Sequence, residues 1–179
     1  MRRLKYLILS SFLSAGIASP VLASSGVNSS SKSQAVAARA GDFPHQANKL
    51  LREIRSDAES AMNHAAILKT LTSQPDMTWF SSADELNHLR ANINDMSAKL
   101  SRLEAIRAEA APWQGAAIDS VAGMALAIAD DANFAVDFAN SHQHDLWNQT
   151  YIKYVDNIYG DAEGLTKVTA QAVREYRQG

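Results

Sequence analysis

His142-Gln143-His144-Asp145 is the densest run of potential metal ligands in the chain. Two imidazoles and a carboxylate suit zinc, copper or nickel. Histidines at i and i+2 point apart on a helix but can converge in a turn, and this run falls between two apolar periodic segments. The simpler reading is a polar turn in which Asp145 is an acidic residue favoured by the positive end of the following helix. Other metal signatures are thinner. Bis-axial haem ligation needs His or Met facing each other across a core, and His45 near the start of the first helix meets neither residue near the end of the chain. A carboxylate-bridged metal pair needs two Glu-x-x-His motifs. Only Glu85-Leu86-Asn87-His88 fits, and its Glu85 is explained by helix capping. No cofactor is expected.

Nucleophilic chemistry has no visible seat. The chain lacks cysteine, so it has no thiolate nucleophile, disulfide framework or lipid-anchoring cysteine. No Gly-x-Ser-x-Gly elbow and no glycine-rich phosphate loop occurs. The chain is not expected to be an enzyme.

Charge and aromatic placement say more. Between Arg107 and Lys153 there is no basic residue, while Glu109, Asp119, Asp130, Asp131, Asp137 and Asp145 fall in that interval. At a helical turn of about 100° per residue, Asp119, Asp130 and Asp137 lie within about 20° of one another. They form one acidic stripe with Leu126 on the same side. Such a stripe is either a solvated helix face or a docking face for a basic partner. Trp79, Phe80, Phe138, Trp147 and Tyr151 form a second group. If two connections of a helical bundle share an end, these aromatics gather there, as a plug or as a place for a ligand or partner.

The elements that must hold these residues are helical. From Pro44 to about Thr72, Ala47, Leu51, Ile54, Ala58, Ala61, Ala65 and Leu68 alternate in steps of four and three, which makes one apolar seam. Pro75 cannot continue that helix. Ser82 and Glu85 have capping-box spacing and predict the start of a second helix. Its seam is Leu86, Leu89, Ile93, Met96, Leu100 and Leu103. A third helix is expected from about Trp113 to Asn140 with a seam of Ala117, Val121, Met124, Ile128, Ala135 and Phe138. A fourth starts near His144 and carries Ile152, Val155, Tyr159, Ala162, Leu165 and Ala172. Gly160 and Gly164 could kink or split it, each weakening a helix by about 1 kcal/mol relative to alanine. Four helices of about 28 residues with short connections predict an all-α, antiparallel up-down-up-down four-helix bundle over residues 43–179. A long helical hairpin that buries its seams by dimerising is the alternative.

The amino terminus reads differently. Arg2, Arg3 and Lys5 precede an apolar run from Tyr6 to Ala18, and Val21-Leu22-Ala23 offers small residues for cleavage before Ser24. The run's 13 residues fall short of the roughly 20 that a membrane span needs. Residues 1–23 are therefore expected to be a cleaved signal peptide, and serine-rich residues 24–42 a flexible leader. Cleavage removes three of the 17 basic residues and none of the 19 acidic ones, leaving a net charge of −5. That balance disfavours nucleic acid and anionic lipid as partners. The expectation is a periplasmic or secreted binding or interaction protein, with a protein partner or a second copy as its partner and no stable membrane insertion after cleavage. A bundle carrying a metal or small ligand is the alternative.

Overall fold

The computed structural model describes residues 29–74 and 78–176, with side chains from residue 45 onward. The expected signal segment and residues 24–28 lie outside the described residues. Four α-helices and one short 3₁₀ turn make up the described chain: α1 (Ser29–Thr72), α2 (Trp79–Ala105), the 3₁₀ turn (Arg107–Glu109), α3 (Pro112–Ser141) and α4 (Gln149–Glu175). Among the described residues there is no strand, as the all-α expectation required, and the arrangement is consistent with a four-helix bundle. Each helix packs mainly on two others, α1 on α2 and α4, and α3 on α2 and α4. No helix among the described residues is long and apolar enough to cross a membrane.

α1 begins at Ser29, well before Pro44, in the stretch where the sequence predicts a flexible leader. Ala35, Ala37, Ala38 and Ala40 explain the difference, since alanine is the strongest helix former and outweighs the serines before it. The expected α1 seam is buried throughout, with Leu50 added to it. The α2 seam is buried too, apart from half-buried Leu100.

The start of α2 departs from expectation. Thr78, not Ser82, is its N-cap, and the Thr78 hydroxyl accepts from Ser81 N at 3.4 Å. Ser82 is buried inside the helix, and Glu85 reaches across to α1 instead of back to a cap. At the start of α3, Pro112 occupies a first-turn position where its missing N–H costs nothing. Gln114 Oε1 accepts from the Ala111 backbone N–H at 2.7 Å and closes that turn.

The α3 seam is rotated from the expected one. Ile118, Val121, Ala125, Ile128, Ala132, Ala135, Val136 and Ala139 are buried, while Ala117, Met124 and Phe138 flank the core. α4 starts at Gln149, later than expected, capped by Asn148 Oδ1 accepting from Thr150 N at 2.9 Å. Tyr151 and Ile158 fill the core in place of Ile152 and Tyr159, and α4 continues through Gly160 and Gly164. A Cβ at Gly160 would meet nothing within 4 Å, and one at Gly164 would touch the Met124 side chain at an ordinary 3.6 Å.

Candidate functional site

The aromatic residues separate into inward and outward members. Trp79 opens α2 and turns inward, its indole Nε1 donating to the Ala139 carbonyl near the end of α3 at 3.0 Å. Phe80 stands edge-on to Trp79 with ring centroids 5.2 Å apart, yet is itself 77% exposed. Phe138 stacks on Tyr151 at 5.9 Å and on His142 at 4.2 Å. Tyr151 is fully buried, and burial pushes its phenol up to about 12. Trp147, in the connection between α3 and α4, is 61% exposed. The inward members act as packing, because every one of them fills space between helices.

The histidines and the carboxylate of the expected metal group are engaged separately. His142 donates from Nδ1 to the Phe138 carbonyl at 3.2 Å. His144 is exposed. Asp145 Oδ2 accepts from Asn148 Nδ2 at 2.9 Å and so steadies the residue that caps α4. Among the described residues no group of three His, Asp or Glu side chains converges as a metal ion requires.

A different polar array lies between α1 and α2. His64 Nδ1 donates to Glu85 Oε2 at 2.7 Å, with both side chains about three-quarters buried. The His64 ring stacks on His88 at 5.4 Å, and His88 Nε2 lies 3.8 Å from Asp84 Oδ2. A carboxylate that orients an imidazole is half of a nucleophile-activating set. No hydroxyl among the hydrogen-bond partners of the described residues meets His64, while the Ser60 hydroxyl on the same helix donates to the Ser56 carbonyl. Sequence spacing assigns Glu85 to a cap and misses its pairing with His64, because spacing along one helix carries no record of contacts to another.

The acidic stripe is present on the outside of α3. Asp119, Asp130 and Asp137 are all exposed. Arg107, in the 3₁₀ turn, grips Asp119 with both guanidinium nitrogens at 2.6 Å. Among the described residues neither Asp130 nor Asp137 has an ion-pair partner. Leu126 and Phe134 share this face and are 55% and 54% exposed. Sequence reasoning names Leu126 and misses Phe134, whose ring lies stacked on Tyr154 of α4 at 5.5 Å. Asp131, beside the stripe, accepts from Asn157 of α4 at 3.4 Å and lies close to Asp161. Burial, and then the neighbouring Asp131 charge, raise the Asp161 carboxyl above the ordinary range.

This face can attract positive charge and cover apolar surface, and the α3 hydroxyls of Ser120 and Ser141 donate to carbonyls of their own helix. No protein-family model, curated protein or solved structure matches the chain.

Proposed function

We propose that this chain is an exported helical-bundle interaction protein that binds a partner through the outward face of α3, and that it performs no catalysis. The observation carrying this reading is the exposure of Leu126 and Phe134 on a helix with four aspartates and no Lys, Arg or His. A partner that covers these two side chains removes apolar area from water, and the carboxylates of Asp130 and Asp137 beside them give a cationic partner long-range attraction. Export is supported by the basic start, the short apolar run and the small residues before Ser24.

An antiparallel up-down-up-down course is part of the proposal. Its support is that cross-helix partners run in opposite senses. Asp57 meets Lys99 while the later His64 meets the earlier Glu85. Trp113 meets Tyr176, Asp131 meets Asn157, and Phe138 meets Tyr151. Such a course needs only the short connections that the chain has.

The test is a photo-crosslinking amino acid at position 126 in the exported protein of the native host. A discrete adduct that is missing when the probe stands at exposed Arg52 is the expected result. Identical adducts from both positions, or none from 126, would defeat the reading.

A further inference from the structure

Asp119, Gly123, Leu126, Asp130, Asn133 and Asp137 follow one another on α3 in steps of four, three, four, three and four. That is the spacing of a buried seam, but all six residues are exposed. At 1.5 Å per residue the row is about 27 Å long, or five turns. A second helix can lie along such a row, but only Leu126 of the six supplies the large apolar side chain that a coiled-coil seam repeats, so charge must carry most of the contact. Gly123 leaves room for close approach, and a Cβ there would meet nothing within 4 Å. Asn133 offers an amide with both a donor and an acceptor, the group that fixes register when it falls in such a seam. Phe134 borders the row, its ring backed by Tyr154.

The charges select the occupant. α3 carries four aspartates and no cation. Asp130 and Asp137 lie seven residues apart, about 10 Å along the axis, which is too far for both to ligate one ion. Separate point charges at that spacing suit lysines or arginines two turns apart on a helix. A second copy of this chain, docked α3 on α3 about a two-fold axis, would set aspartates against aspartates. Asp131 and Asp161 add negative charge at the α4 border, where Asp161 has a like-charged neighbour.

We infer that the outward row of α3 is a docking track for a cationic amphipathic helix of a partner protein, with Gly123 and Leu126 as its apolar floor, bordered by Phe134, and Asp130 and Asp137 as its charge contacts. This rests on the reading of the chain as an interaction protein and gives that reading a partner of stated chemistry.

The test uses the mature chain from Ser24 and a Lys/Leu amphipathic helical peptide of about 18 residues, the length the row accommodates. A Glu/Leu peptide of the same pattern is the comparison. Backbone amide shifts should locate the Lys/Leu peptide on α3, and its affinity should fall with salt. Asp130→Asn with Asp137→Asn should weaken binding about fivefold to tenfold and flatten the salt dependence. Gly123→Gln has space in the free protein, so it should leave the fold intact and weaken binding by blocking close approach. Asp84→Asn, which removes an exposed charge on α2, should leave affinity unchanged. Shifts located elsewhere, equal binding of the Glu/Leu peptide, or equal losses from Asp84→Asn and the α3 double variant would each overturn the inference. Those results, beside a specific crosslink from position 126, would remove the cationic helix and leave the interaction reading standing. Loss of the crosslink itself removes the reading beneath it.

Discussion

Lys99 Nζ lies 2.6 Å from Asp57 Oδ2 between α2 and α1, and both side chains are mostly buried. Burial, helped by the neighbouring Asp95 and Glu53 charges, still holds the Asp57 carboxyl above its ordinary range against the Lys99 hydrogen bond and charge that pull it down. The two members are therefore not equivalent. Lys99→Met leaves a mostly buried carboxylate without its cation, whereas Asp57→Asn leaves a lysine whose long stem can carry its charge into water. Chemical denaturation should show Lys99→Met losing about 1–2 kcal/mol, more than Asp57→Asn, a range set below that of fully buried pairs because water reaches this one. Equal losses would mean that the pair is too well solvated to matter. Asp161 offers a second case with a definite sign. Its folded-state carboxyl is raised by burial and by Asp131, so its ionisation opposes folding. Asp161→Asn should melt higher than the parent at neutral pH, and the gap should close as pH falls through the raised value and Asp161 takes up a proton. A gap that widens in acid would reverse the assignment. Neither carboxylate could be singled out from sequence, because the partners that set them lie 42 residues away for Asp57 and on another helix for Asp161. The acidic row was legible, since Asp119, Asp130 and Asp137 share a helix and only the turn per residue is needed to align them.

At the scale of the helices, legibility followed amphipathicity. The α1 and α2 seams are flanked by polar residues, and the structure buries them nearly as the spacing predicts. The middle of α3, Val121 to Ala129, is apolar on every side, so spacing could not choose between Met124 and Ala125. Packing chose the smaller alanine for the core and put Met124 against Gly164. In α4, Tyr151 and Ile158 join Val155, Ala162 and Leu165 in steps of four and three, where the expected seam placed Ile152 and Tyr159. This register makes sharp claims about variants. Ile93 is nearly buried and His88 is exposed, so Ile93→Asp should unfold the domain by burying a carboxylate without a partner. His88→Ala should cost under about 0.5 kcal/mol in the same denaturation assay, as an exposed site does. Comparable losses would displace the α2 seam. Gly160 tests α4 in the opposite direction. It sits in helix with open space where a side chain would be, so Gly160→Ala should raise stability by about 0.5–1 kcal/mol. A loss there would point to a break in α4 at that residue.

Whole-molecule architecture decides whether one chain closes its own core or needs a second copy to do so. In an antiparallel bundle the α1–α2 connection and the end of α3 share one pole, and the Trp79 indole donating to the Ala139 carbonyl is the contact expected there. In a long hairpin that buries its seams by pairing, α2 and α3 would extend away from each other and the equivalent contact would come from another copy. The cysteine-free chain makes the distinction measurable, because two introduced cysteines carry spin labels to known places. Ser73 and Ser141 are exposed and close the ends of α1 and α3. Labels there should lie about 10–20 Å apart if α1 and α3 end at the same pole, diagonally across one bundle. Ser73 and exposed Ser101, separated by most of α2, should lie about 30–40 Å apart at a rise of 1.5 Å per residue. Dilution with unlabelled chain separates the two architectures. Distances within one chain survive dilution, while a short Ser73–Ser141 distance supplied by a second copy fades in proportion to the labelled fraction. The expected outcome is a short distance that persists. A distance that vanishes on dilution would establish the paired hairpin, remove the single-chain bundle, and leave α3 facing its own copy instead of a cationic partner.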